Sequence, residues 1–160
     1  YKVCVSFDTR GMIEYWDPVA DNGDMPVSFQ YKTETDMYEF AKCKTTPLSL
    51  DFSADGKLFA CLAADRQVRV FTFLTGKLRR KYDESLKALQ EVQQSGDHRC
   101  KVDSLDFGRR LAGEKELDRE PSGQNCNAVF DKSGHFLYYP TPLGVKRTVI
   151  VLREALHLVD

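Results

Sequence analysis

The feature that most constrains this chain is a cadence between residues 47 and 82, where short apolar runs alternate with tight turns. Leu48, Leu50 and Phe52 alternate with Ser49 and Asp51, the period of a strand with one face buried. Ser53-Ala54-Asp55-Gly56 is a turn whose glycine can take positive φ. Leu58 to Leu62 is continuously apolar, Asp65-Arg66-Gln67 turns the chain, and Val68, Val70 and Thr72 alternate again. After Thr75-Gly76, a more polar run carries Leu78, Arg80 and Tyr82. The pattern predicts a four-stranded antiparallel meander with Phe52 and Phe71 buried and Arg79 and Lys81 exposed.

One turn of this meander recurs. Phe52-Ser53-Ala54-Asp55-Gly56-Lys57-Leu58-Phe59 and Phe130-Asp131-Lys132-Ser133-Gly134-His135-Phe136-Leu137 share the order Phe, polar, any, polar, Gly, polar, apolar, apolar. Trp16-Asp17 is a literal Trp-Asp pair closing an earlier run. Four-stranded units repeating every ~40–45 residues are the mark of WD-type β-propeller blades. The expected fold is therefore all-β with a helical insertion, a partial WD40-type β-propeller of antiparallel four-stranded blades. Leu48 to Phe52 is its inner strand, and Leu78 to Tyr82 its exposed outer one. Lys77, Arg79, Arg80 and Lys81 on that outer strand read as protection of an exposed edge. Only Tyr82 among them offers a ring for stacking on a base, so direct nucleic-acid binding is not expected.

The flanks complete the organisation. Residues 1–32 read as the last strands of one blade: Tyr1 to Phe7 and Met12 to Trp16 form a hairpin, and Val27 to Lys32 a further strand. Residues 33–46 are a connecting loop, read around Met37, Tyr38 and Phe40 as either a short ordered loop or a helical turn, and 47–82 are the complete blade. Residues 83–124 are the helical insertion. Asp83 caps a helix carrying Leu86, Leu89 and Val92, and a second helix runs from Asp103 to about Glu120 with Phe107 and Leu111 on one face. Residues 125–160 begin another blade, with strands at Ala128 to Phe130, His135 to Tyr139 and Val149 to Leu152, and a divergent end from Arg147.

Composition excludes several classes. Lys and Arg number 23 against 24 Asp and Glu, so a net charge of −1 favours neither a nucleic-acid coat nor a polybasic membrane binder. The longest apolar run, Leu58 to Ala64, falls far short of the ~20 residues of a membrane helix. The start shows no basic segment followed by an apolar one. The chain begins at Tyr1 within a strand-like run and is expected to be a piece of something larger. Cysteines at 4, 43, 61, 100 and 126 form no Cys-x-x-Cys pair and read as reduced thiols.

Several segments together carry a family resemblance. They are Gly11-Met12-Ile13-Glu14-Tyr15-Trp16, Asp36-Met37-Tyr38-Glu39-Phe40-Ala41-Lys42 and Asp65-Arg66-Gln67-Val68-Arg69-Val70-Phe71, followed by Thr75-Gly76-Lys77-Leu78, Asp83-Glu84-Ser85-Leu86 and Phe107-Gly108-Arg109-Arg110. In this order, from about Tyr1 to Lys146, the sequence resembles the peptidylprolyl isomerase domain and WD-repeat-containing family. The insertion separates that family from WD proteins in general. The resemblance implies an N-terminal propeller joined to a C-terminal cyclophilin domain, a nuclear location and spliceosomal protein partners. The Gly-His usual before the inner strand of a WD blade is replaced here by Thr45-Thr46 and by Gln124-Asn125.

The Phe-His-Arg and Gln-Gly-Gly-Asp strings of a cyclophilin site do not occur. His98, His135 and His157 lack metal-ligand spacing, and no glycine-rich nucleotide loop is present. Ser133 and His135 stand two apart with no third group to complete a triad. No catalytic, cofactor or metal residue is assigned, and neither a membrane nor a small-molecule substrate is expected. The expectation is a non-catalytic WD-repeat interaction scaffold within a cyclophilin-type peptidyl-prolyl cis-trans isomerase whose catalytic domain lies elsewhere. The alternative is a fragment of an unrelated WD adaptor, such as a ubiquitin-ligase substrate receptor.

Overall fold

A computed structural model describes residues 3–18, 29, 31–95, 102–117 and 126–150. Its frame is three open antiparallel sheets with a few helices, and among the described residues no sheet closes into a barrel. Strands β1 (Cys4–Phe7) and β2 (Ile13–Trp16) form a hairpin. Its turn is held by Asp8, whose carboxylate accepts the Arg10 and Met12 backbone N–H groups at 2.9 and 2.8 Å. A 3₁₀ turn at Lys32–Glu34 and a one-turn helix α1 (Glu39–Lys42) lead to the central sheet.

That sheet is the meander the cadence predicts: β3 (Pro47–Phe52), β4 (Leu58–Ala63), β5 (Gln67–Thr72) and β6 (Lys77–Asp83), in spatial order. Every residue of β4 is buried, because a strand apolar on both faces must be covered on both. Leu58, Ala60, Leu62, Val68 and Val70 face one core, shared with Ala128, Phe130, Leu137, Tyr139 and Ile150. Phe59, Cys61, Ala63, Phe71 and Phe73 face the other, shared with Ile13, Met37 and Phe40. Rings dominate this second core: Phe59 stacks on Phe71 at 5.1 Å, and Tyr15 on Phe73 at 5.1 Å.

The first core belongs to the third sheet, β7 (Val129–Phe130), β8 (Phe136–Thr141) and β9 (Gly144–Val149). It meets the central sheet first strand to first strand. Ala128 N–H donates to Ser49 Oγ at 3.2 Å, and Phe130 N–H to Asp51 Oδ2 at 2.7 Å. Between the two sheets run α2 (Leu86–Ser95) and α3 (Ser104–Leu117).

Several expectations are corrected. Phe52 is 37% exposed, because at the end of β3 its ring meets Phe59 and Phe73 along one side only. Arg79 is half-buried, since an irregularity in the β5–β6 pairing places it between Arg80, opposite Val70, and Leu78, opposite Phe71, and breaks the alternation. Asp83 belongs to β6, and Ser85 caps α2, its Oγ accepting the Ala88 N–H at 3.3 Å. Val92 is 41% exposed, and α3 buries none of its residues, so the insertion adds little to either core. Lys32, expected in a strand, opens the 3₁₀ turn, while 27, 28 and 30 lie outside the described residues. The last strand begins at Gly144 rather than Val149, and Val151 and Leu152 lie outside the described residues.

Candidate functional site

The two sequence-related turns fold alike, with donor and acceptor exchanged. In the first, Ser53 Oγ donates to Asp55 Oδ1 at 2.6 Å and accepts the Leu58 N–H at 3.0 Å. In the second, Asp131 stands at the Ser53 place: its Oδ2 accepts Ser133 Oγ–H at 2.6 Å and its Oδ1 the Phe136 N–H at 3.1 Å. Gly56 and Gly134 take φ of 68° and 71°. The Ser133 bond to Asp131 holds that carboxyl below its usual range. His135 Nδ1 lies 3.1 Å from Ser133 Oγ. The serine thus sits between carboxylate and imidazole, the wrong order for a triad, in which the imidazole is the middle member. His98 and His157 lie outside the described residues.

The basic outer strand is partly neutralised, since Lys81 Nζ lies 3.4 Å from Glu39 Oε1. Of the five cysteines, Cys61 is buried and its thiol is pushed up to about 12 by burial, with Arg69 acting in the opposite direction. Cys4 and Cys126 are half-buried, Cys43 is exposed, and Cys100 lies outside the described residues. Among the described residues, no three metal-ligating side chains converge.

Polar side chains instead gather where the insertion leaves the central sheet. A cavity of about 110 Å³ lies between the β4–β5 turn, the end of α3 and the β8–β9 turn. Leu48, Leu62, Leu117, Cys126 and Pro140 line it, with Arg66, Glu84 and Glu114 at its polar side. Arg66 has φ of 60°; its guanidinium pairs with the Glu114 carboxylate and donates to the Glu114 carbonyl at 3.1 Å. This is the tie that fixes α3 to the central sheet.

Glu84 is the second anchor. It is only 5% exposed, and its N–H donates to the Arg66 carbonyl at 3.1 Å. Its carboxylate takes the Tyr139 hydroxyl at 3.0 Å and pairs with Lys146 Nζ. Thr148 Oγ1 lies 3.1 Å from the same hydroxyl. Burial holds the Tyr139 phenol well above its ordinary 10.0; the Thr148 bond opposes this and the Glu84 charge adds to it. Tyr82, stacked on Tyr139 at 6.1 Å, is also raised by burial. Tyr139 therefore keeps its proton and is a fixed donor to Glu84, an arrangement that anchors chain segments rather than transfers protons. A larger groove of about 420 Å³ opens beside it, between α2 and the β8–β9 turn, with Leu89, Val92, Leu143 and Val145 on its walls.

Sequence reasoning missed Arg66, Glu84, Glu114, Tyr139 and Lys146 as a group. The one local signal was Glu84 at the head of an insertion, and its partners lie 55 and 62 residues further on.

No protein-family model matches the chain. Among curated proteins, the Mus musculus peptidylprolyl isomerase domain and WD repeat-containing protein 1 is 49% identical over 148 residues, covering 91% of this chain and 22% of that protein. A Rhizopus delemar protein named peptidyl-prolyl cis-trans isomerase cyp15 is 50% identical over 152 residues, covering 91% and 24%. The Arabidopsis thaliana peptidyl-prolyl cis-trans isomerase CYP71 is 48% identical over 143 residues, covering 89% and 23%. The chain thus spans less than a quarter of the length of these relatives.

These relatives correct the functional expectation. The reading as a non-catalytic WD-repeat scaffold, with an unrelated WD adaptor as its alternative, gives way, because proteins aligned along nine-tenths of the chain are named as isomerases. At about half identity over 91% of its length, the chain is a homologue of a segment of the peptidylprolyl isomerase domain and WD repeat-containing proteins, and that family is the one its sequence supports.

Proposed function

We propose that the protein carrying this chain is a peptidyl-prolyl cis-trans isomerase. The observation that carries the proposal is the 48–50% identity to proteins named for that activity. The test is a protease-coupled assay on an Xaa-Pro peptide, run with residues 1–160 and with the longer protein. Rate enhancement proportional to protein concentration is the expected result for the longer protein, and its absence would overturn the proposal. Enhancement by 1–160 alone would locate the reacting groups within this chain, whereas activity confined to the longer protein would locate them outside it.

The same reading extends to the fold. The three sheets are taken as successive blades of a WD-type propeller, with 47–82 a complete blade, 83–124 an insertion, and 1–32 and 125 onward parts of its neighbours. Support comes from the side-by-side first strands, bonded from Ser49 to Ala128 and Asp51 to Phe130, a separation of 79 residues in both cases. A nuclear location and spliceosomal protein partners belong to the same reading, through the resemblance. Fluorescence imaging of the tagged protein, and its co-purification with spliceosomal particles, test them.

A further inference from the structure

Arg69 is fully enclosed, yet one of its donors is unused. Nη1 and Nη2 donate to Asp65 Oδ1 and Oδ2 at 3.1 and 2.7 Å, and Nη2 also to Gln67 Oε1 at 2.9 Å. The guanidinium lies 4.8 Å from the centre of the Phe40 ring. Its Nε is buried and has no hydrogen-bond partner. Nε faces Glu39 Oε1, but at 3.9 Å. The Cys43 thiol donates to this same Glu39 oxygen at 3.6 Å, so sulfur and Nε flank one carboxylate oxygen. Lys81 reaches that oxygen too, at 3.4 Å, so two cations balance the carboxylate next to the sulfur. An exposed thiol and a buried donor lacking an acceptor therefore approach the same Glu39 oxygen. Buried donors left without a partner cost free energy that a new acceptor would recover.

We propose that Cys43 is an oxidation-sensitive thiol, converted by hydrogen peroxide to a sulfenic acid whose oxygen supplies the acceptor that Arg69 Nε lacks. The sulfur attacks one peroxide oxygen, an S–O bond forms and the O–O bond breaks. Sulfur loses two electrons, the peroxide gains them, and the thiol proton passes through the Glu39 carboxylate to the departing hydroxide as water. Sulfenic acids formed this way are reversible, condensing with a second thiol. Neither Cys61, enclosed in the core, nor the half-buried Cys4 and Cys126 combines exposure with such a donor.

The test is peptide-resolved labelling by dimedone after brief treatment of the 160-residue chain with hydrogen peroxide, in buffer and in denaturing urea. Exposure alone makes Cys43 at most as reactive in the native chain as in the unfolded one. Help from Arg69 makes it faster in the native chain, by about tenfold for the one charge-assisted bond gained. A native rate no greater than the unfolded rate would overturn the proposal. Arg69→Met, once circular dichroism shows it folded, should lose the acceleration, and retention of it would equally refute the idea. If that variant does not fold, the native-to-unfolded ratio of the unaltered chain decides.

Discussion

Replacing Asp51 by alanine should loosen the third sheet from the central one. Asp51 Oδ2 accepts the Phe130 N–H at 2.7 Å, and Phe130 is only 8% exposed. Alanine removes that acceptor from a part-buried donor. The neighbouring contact, Ala128 N–H to Ser49 Oγ at 3.2 Å, is longer and its acceptor is uncharged. A donor shielded from solvent and deprived of its acceptor costs about 1–3 kcal/mol, and a part-buried one belongs in the middle of that range or below. With an intermediate loss of about 2 kcal/mol and a urea slope of about 2 kcal/mol/M, the midpoint should fall by about 1 M. Amide hydrogen exchange gives a local reading: at 1.4 kcal/mol per tenfold, protection of the Phe130 N–H should drop about 30-fold. Asp51→Asn keeps an acceptor at the same place and should lose less than half as much. Unchanged Phe130 protection in Asp51→Ala, together with a midpoint shift below about 0.3 M, would refute the reasoning. It would mean that apolar burial alone docks the two sheets.

Phe59→Ala should cost about 3–5 kcal/mol in a urea melt, because the ring is fully buried and stacks on Phe71. Gly11→Ala should destabilise by about 3 kcal/mol, the top of the range for strained backbone, since φ is +81° and a Cβ would meet the Thr45 carbonyl at 2.7 Å. Gly56→Ala, at φ +68° with nothing within 4 Å, should cost only about 1 kcal/mol by the same melt. Tyr15, Tyr82 and Tyr139 all have phenols raised above 10.0 by burial, so the folded chain holds protons that the unfolded chain gives up. Stability is therefore full below pH 10 and falls as pH rises beyond it. Tyrosinate absorbance from these three should appear together with loss of near-ultraviolet circular dichroism, not before it.

How far the structure can be read from sequence depends on the range over which each feature is decided. The 47–82 meander is legible because period-two alternation and Gly-containing turns are local, and all four strands fall within a residue or two of their expected bounds. The Asp131–Gly134 turn is legible for the same reason. Phe52 and Arg79 were misjudged because a strand end and a pairing irregularity are set by partners, not by the run itself. The spacing of Phe107 and Leu111 gives α3 one apolar face, but the helix buries none of its residues and is held by the Arg66–Glu114 pair. The Glu84 anchor was invisible, since Tyr139 and Lys146 are brought to it only when the third sheet docks.

Arg69 is a charge placed in a core. It is fully buried, on the ring-lined face and opposite Cys61. Burial by itself would lower such a guanidinium. The Asp65 carboxylate, bonded through two nitrogens, opposes this most strongly, and with the Cys43 side chain it holds the guanidinium above its usual range. Asp65 does a second task, accepting the Gln67 N–H at 3.1 Å within the β4–β5 turn. The turn and the buried charge therefore depend on each other: the turn places the carboxylate, and the carboxylate makes the burial of Arg69 tolerable. Arg69 in turn offers α1 a cation beneath Phe40, so the short helix is fixed over the second core. Asp65-Arg66-Gln67-Val68-Arg69, read as a turn followed by a strand, is also the segment that ties α1 through Arg69 and α3 through Arg66 to the central sheet.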